Sequence, residues 1–229
     1  MENKTVVIIP AYNEECSIAK VIQELPGHLV TEIIVVDNNS TDKTSDKAKQ
    51  AGATVLFQGL KGYGNACLLG IEYLKKMKMP PSIVVFIDGD YSDYPEQLYA
   101  VIKPIIYDGY DMVIGSRNLG MKAKGSMAPQ QVFGNKLATT LMKWLYKTNY
   151  TDLGPFRAIK YSSLIALNMV DKNYGWTVEM QLKAAKLKMK TCEVAVDYRK
   201  RIGVSKVSGT VKGTLGAAYK IITTIFRYI

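Results

Sequence analysis

Short β-branched runs recur through the first half of the chain, and between them the apolar spacing changes to that of helices. Val6 to Ile9, Ile33 to Val36, Thr54 to Phe57, Ile83 to Ile87 and Met112 to Ile114 are nearly all apolar, the pattern of strands covered on both faces. Helical patterns fill the gaps at Glu15 to Leu25, Thr41 to Ala51, Gly64 to Lys76 and Pro95 to Tyr107. Ser40 or Thr41 is the expected N-cap of the second helix, and Pro95 suits the first turn of the fourth. Alternation at this spacing requires right-handed crossovers and builds a parallel sheet. The expected fold class is therefore α/β, a mostly parallel central sheet flanked by helices.

The second half is less regular. Gln131 to Tyr146, which carries Trp144, and Thr177 to Leu187 read as helices, and Thr191 to Tyr198 alternates like a strand. From Val211 to Ile229 an amphipathic helix is expected, with Val211, Leu215, Ala218, Ile222, Ile225, Phe226 and Ile229 on one face and Lys212, Lys220 and Arg227 opposite. No internal repeat or linker-like tract divides the chain, so residues 1–229 are expected to form a single domain.

With 229 residues, 48% of them apolar, the chain can bury a sizeable core, which excludes disordered, collagen-like and disulfide-stapled classes. Its three cysteines, Cys16, Cys67 and Cys192, have neither metal spacing nor a disulfide framework, as suits a reducing compartment. The opening MENKTVVIIP has no signal-peptide pattern, and no stretch approaches the roughly 20 apolar residues of a membrane span. The expected location is the cytoplasm, or the cytoplasmic face of a membrane. His28, the single histidine, reads as a loop residue.

The net charge of +10 is concentrated late. Between Lys183 and Ile229 eleven basic residues face only two acidic ones, Glu193 and Asp197. The densest run, Tyr198-Arg199-Lys200-Arg201, is followed by Gly203, Lys206 and Gly209. A basic, glycine-loosened stretch suits a phosphate-bearing partner: a nucleotide, a lipid phosphate, a membrane surface or a nucleic acid.

Open parallel sheets bind ligands beyond the carboxyl ends of their strands. There the sequence places Pro10-Ala11-Tyr12-Asn13-Glu14-Glu15, Asp37-Asn38-Asn39-Ser40-Thr41-Asp42, Asp88-Gly89-Asp90-Tyr91-Ser92-Asp93 and Gly115-Ser116-Arg117. Asp88 and Asp90, two residues apart after a buried strand, can hold a hard cation that bridges phosphate oxygens. The same residues alone would also make an ordinary acidic turn. No G-x-G-x-x-G follows the first strand, and Gly59-Leu60-Lys61-Gly62-Tyr63-Gly64-Asn65 lacks the Gly-Lys-Ser/Thr ending of a nucleotide-triphosphate loop. It is either a backbone approach to a phosphate or a plain turn.

The set VVIIPAYNEE, VVDNNSTDKT, GYGNA, FIDGDYSDYPE and GSR resembles the family 2 glycosyltransferases of the GT-A fold. TDLGPFRAI, YGWTVEMQLKA and VDYRKRIGVSKVSGT resemble, more narrowly, the branch that makes dolichyl- or polyprenyl-phosphate mannose and glucose. The match runs from about Thr5 to about Gly216. It implies a hexose donor linked to UDP or GDP, Mg²⁺ or Mn²⁺, and inversion at the anomeric carbon. It also implies a nucleotide-sugar-binding half at 1–117, an acceptor-binding half at 118–210 and the amphipathic helix at 211–229. Carried over by motif, Pro10, Ala11, Tyr12, Glu14, Asp37, Asn38, Gly64, Asp88, Gly89 and Asp90 bind the nucleotide sugar. Asp88 lies near the ribose and, with Asp90, at the metal. Arg117 and Arg157 face the donor diphosphate or the acceptor phosphate, and Arg199 and Lys206 close over the leaving diphosphate. Asp90, Glu179, Arg117, Arg199 and Lys206 are the expected catalytic set.

One departure bears on the acceptor. Many family members that use sugar hydroxyls carry Glu-Asp at the start of the later helix, the Asp serving as base; here the pair is Glu179-Met180. A hydroxyl must lose a proton, whereas a phosphate monoester is already ionised at neutral pH. A lipid-phosphate acceptor is thus expected, with Glu179 orienting it or a basic neighbour. Transfer to a saccharide or small-molecule hydroxyl is the alternative, and a non-catalytic nucleotide- or nucleic-acid-binding module is a further one. An acidic cluster at the site edge disfavours nucleic acid. The C-terminal helix could lie on a membrane, pack on the protein's own core or on another copy, or dock on a separate membrane subunit.

Overall fold

The computed structural model describes residues 4–203 and 211–228. The first half follows the expected alternation: β1 (Thr5–Ala11), α1 (Ile18–Glu24), β2 (Glu32–Asp37), α2 (Thr44–Gln50), β3 (Thr54–Phe57), α3 (Tyr63–Lys75), β4 (Ile83–Phe86), α4 (Leu98–Asp108) and β5 (Met112–Ser116). Pro95 opens a 3₁₀ turn, Pro95–Gln97, that leads into α4. The second half contributes α5 (Pro129–Tyr146), β6 (Arg157–Lys160), α6 (Tyr161–Leu167), α7 (Trp176–Lys186), β7 (Thr191–Ala195) and α8 (Val211–Arg227).

All seven strands join one sheet in the order β3-β2-β1-β4-β6-β5-β7. β1 pairs in parallel with β2 and β4, and β5 with β7, while β6 runs antiparallel between β4 and β5. Burial on both faces explains the continuous apolar runs. In β1, Val6 and Ile8 pack with residues of α3, α5, α6, α7 and α8, and Val7 and Ile9 with residues of α1, α2 and α4.

Two local expectations are corrected. α2 starts at Thr44, and neither Ser40 nor Thr41 caps it; Asp42 Oδ1 instead accepts from the Thr44 amide and hydroxyl. β6 is an additional strand. It has four residues with Arg157 and Lys160 at its ends, so only Ala158 and Ile159 carry the apolar signal.

Among the described residues of α8, Thr224 and Ile225 are buried, and the helix packs on α5 and α7. Tyr228 donates its hydroxyl to Glu179 (2.7 Å), and Lys220 pairs with Asp171 (2.9 Å). α8 therefore rests on the protein's own core. Among the described residues, no helix is long and apolar enough to cross a membrane. Cys16, Cys67 and Cys192 are all free thiols.

Candidate active site

The sheet order turns at β1, whose neighbours β2 and β4 lie on opposite sides, and a crevice opens there at the carboxyl ends. This cavity of about 330 Å³ is lined by Pro10, Ala11, Tyr12 and Glu14 after β1, Asn38 after β2, and Asp88, Gly89 and Asp90 after β4. Lys61, Gly62, Tyr63 and Ala66 form one wall, and Asn173, Tyr174 and Arg201 complete the lining.

Several residues expected at the ligand also hold the loops. Asp37 accepts from the Ser40 amide (2.9 Å) and the Ser45 hydroxyl and does not line the cavity. Asn38 does line it, while holding the glycine-rich loop: Oδ1 accepts from Gly62 N–H (2.7 Å) and Nδ2 donates to Leu60 C=O (2.7 Å). Gly64 lies outside the lining. A Cβ there would stand 2.0 Å from the Asp171 carbonyl, so this glycine admits the 171–173 segment. Lys61, not anticipated, donates to the Tyr12 hydroxyl (2.9 Å) and sits 4.6 Å from that ring's centre.

Asp88 and Asp90 are brought together as expected. Asp90 is buried, its Oδ1 accepting from the Ser92 amide (2.8 Å) and hydroxyl (2.5 Å), and its Oδ2 pairs with the Arg201 guanidinium. Burial pushes the Asp88 carboxyl above its ordinary pKa, opposed by the charge of Arg201. Asp93, also buried, has no hydrogen-bond partner for either carboxylate oxygen among the described residues; burial, reinforced by Asp88, holds it up to about 7. The donor set fits a divalent cation. It offers hard oxygens, and a positive group already occupies Asp90. Among the described residues, no cluster of three or more His, Cys, Asp or Glu side chains could enclose an ion.

A second cavity of about 300 Å³ adjoins the first, sharing Tyr63, Asp88, Tyr174 and Arg201. Arg117 lines it, gripped by Asp152 (Nε–Oδ2 2.8 Å, Nη2–Oδ1 2.7 Å) and facing the Tyr198 ring at 5.0 Å. Met127, Leu153, Trp176, Ala218 and Ile221 give it apolar walls, and Gln130, Gln131 and Asn135 polar ones.

Two charged residues, Arg157 and Arg199, lie elsewhere than expected, and a third, Glu179, meets a basic neighbour, one of the two roles expected of it. Arg157 is wholly buried, donating to the carbonyls of Leu153, Gly154 and Thr177, so it pins the entry to β6 and faces neither cavity. Arg199 donates to the Tyr91 carbonyl (2.8 Å), pairs with Glu24 (2.7 Å) and stacks on Tyr91 and Tyr94, away from both cavities. Glu179 is also fully buried. It accepts from the amides of Val170 (3.1 Å) and Asp171 (2.7 Å) and pairs with Lys183 (2.8 Å). It therefore holds the loop that presents Asn173 and Tyr174. Lys206 lies outside the described residues. Arg201 was present in the basic run, but its selection over Arg199 comes from the docking of 198–202 on Asp90 and Ser92 through main-chain bonds.

The family model for glycosyl transferase family 2 matches residues 6–167. The chain belongs to this family. An uncharacterised glycosyltransferase of Mycobacterium tuberculosis is 31% identical over 218 residues, covering 91% of this chain and 92% of its own. The undecaprenyl-phosphate mannosyltransferase of Micrococcus luteus is 29% identical over 224 residues, covering 92% and 90%. Among solved structures, the glucosyl-3-phosphoglycerate synthase of M. tuberculosis with Mn²⁺, UDP and glucosyl-3-phosphoglycerate aligns with a TM-score of 0.78 at 21% identity, over 99% of this chain and 80% of that one. The fold is thus GT-A-like. This family 2 glycosyltransferase is a nucleotide-sugar-dependent enzyme, and the non-catalytic binding module is set aside.

Proposed function

We propose that the chain is an inverting, metal-dependent hexosyltransferase that uses a UDP- or GDP-linked donor and a polyprenyl phosphate such as dolichyl phosphate as acceptor. The observation that carries this reading is the pair of adjoining cavities that share Asp88 and Arg201. The first suits a nucleotide; the second joins Arg117 and Arg201 to apolar walls, as a phosphate on an isoprenoid tail requires. The named activity of the M. luteus relative supports the same acceptor class.

The acceptor phosphate oxygen would attack the anomeric carbon from the second cavity. The bond from that carbon to the diphosphate breaks on the opposite side, its electron pair leaving with the diphosphate, and the configuration inverts. Asp90, with Asp88, would hold Mg²⁺ or Mn²⁺, which when bound neutralises charge on the leaving diphosphate. Arg117 and Arg201 orient the acceptor phosphate, and Lys206 is assigned to the leaving group on the family resemblance. A phosphate monoester needs no base, and the start of α7 offers none: Met180 is in the core and Glu179 is engaged with the 170–171 amides.

A second reading, transfer to a small-molecule or saccharide hydroxyl, draws on Gln130, Gln131 and Asn135 in the second cavity. Labelled UDP- and GDP-sugars with Mn²⁺ and either acceptor class separate the two. The proposal expects label in an organic-extractable lipid phosphate; label only in a water-soluble glycoside contradicts it.

A further inference from the structure

α5 turns an apolar stripe to solvent. Phe133 is 69% exposed, Leu137 38% and Trp144 79%, and their spacing of four and seven residues puts them on one helix face. The opposite face, Asn135, Ala138 and Met142, is buried. Lys136, Lys143 and Lys147, all exposed, run along one side of the stripe. No Asp or Glu occurs between Arg117 and Thr151, nor between Tyr198 and Ile229, the segment that includes the helix packed on α5.

Aromatic and aliphatic side chains at the centre, a lysine rail beside them and no acid on α5 itself are complementary to a lipid surface with anionic headgroups; the carboxylate that comes near, Glu193 beside Lys147, is taken up by Thr151. A symmetric pairing of two such faces would set lysine against lysine with no carboxylate on α5 to separate them. We propose that α5 docks on an anionic bilayer surface. Phe133, Leu137 and Trp144 enter the boundary between headgroups and acyl chains, and Lys136, Lys143 and Lys147 meet lipid phosphates. Gln130, Gln131 and Asn135 of the same helix wall the second cavity, so docking would bring that cavity to the lipid. The inference deepens the proposed acceptor and rests on that reading for its purpose.

The test uses the full chain and vesicles of phosphatidylcholine, alone or with phosphatidylglycerol, without donor or polyprenyl phosphate. The chain has two tryptophans, and Trp176 is only 1% exposed, so an emission change reports Trp144. Expected are cosedimentation with the anionic vesicles that weakens with salt, a blue shift, and quenching by brominated lipid. Trp144→Glu and Lys136→Glu should each lower partitioning about tenfold. Protein that stays in the supernatant, binds with Trp144 unquenched, binds equally well as either variant, or forms a solution dimer that Trp144→Glu splits overturns the inference. Donor binding measured without vesicles confirms that each variant is folded. Donor binding without docking overturns only this inference; docking without donor binding overturns only the proposed function.

Discussion

The Arg201 guanidinium is ion-paired with Asp90 Oδ2, and Asp90 is the carboxylate proposed to take a divalent cation. A fixed positive group and a cation compete for the same oxygen, so the pair sets how strongly metal binds before the nucleotide arrives. Replacing the arginine should tighten binding of Mn²⁺ alone while harming transfer, because Arg201 also lines the second cavity. For Arg201→Gln the expected gain in Mn²⁺ affinity is about tenfold, the effect of removing one partly desolvated charge. Calorimetry or Mn²⁺ electron paramagnetic resonance without nucleotide measures it. Unchanged or weaker Mn²⁺ binding would show that Arg201 does not contend for that site.

Asp93 gives a pH dependence with a definite sign. Its folded-state pKa of about 7 lies above its ordinary value of 3.8, so the folded chain holds the proton more tightly than the unfolded chain. Its contribution is therefore lost progressively as pH rises from about 4 to about 7. Asp93→Asn should match the wild type near pH 4 and exceed it by about 2–4 kcal/mol at pH 8, the size of a shift of this order. Urea unfolding with a chelator present reads the difference; a constant gap across pH would contradict the assignment.

Glu179→Gln separates a positioning role from a catalytic one. The amide keeps the shape but loses the charge that faces Lys183 and the two main-chain N–H groups. A loss of about 2–4 kcal/mol in stability is expected. Because the loop presents Asn173 and Tyr174 to the donor cavity, KM for the nucleotide sugar should rise more than kcat falls. A collapse of kcat in a variant of unchanged stability would restore Glu179 to the chemistry.

These outcomes mark where local pattern stops informing. The strands were legible because both sheet faces are covered, and Pro10 to Tyr12 and Asp88 to Asp90 were legible because they immediately follow those strands. Arg157 and Arg199 were misplaced, and the main-chain partners of Glu179 were missed, for a common reason. A charged residue inside a motif looks the same in sequence whether it faces a ligand or a distant main-chain group. Glu179 meets Tyr228, 49 residues on, and Arg199 meets Glu24, 175 residues back. Asn38 was anticipated at the nucleotide, while its hold on Gly62 appears only once β2 and the glycine-rich loop meet. β6 escaped because a short antiparallel strand with charged ends lacks the run that a parallel strand shows.

Two glycines should respond oppositely to alanine. At Gly64 a methyl group would collide with the Asp171 carbonyl, only 2.0 Å away, and drive the 171–173 segment outward. Gly64→Ala should cost about 1–3 kcal/mol and weaken nucleotide binding. At Gly216, in α8, a methyl group would meet no atom of the described residues within 4 Å, so Gly216→Ala should stabilise by about 0.5–1 kcal/mol. Thermal melts of both variants check the contrast.

The central claim is that a nucleotide sugar sits in the cavity after β1 and β4, held through a cation on Asp90. Calorimetric titration of UDP- and GDP-sugars, with Mn²⁺ or with chelator, on the wild type and Asp90→Ala tests it most directly. One donor class should bind with Mn²⁺ and lose at least about tenfold in affinity either with chelator or in the variant. Binding of equal strength with and without metal, and unchanged in Asp90→Ala, would contradict it.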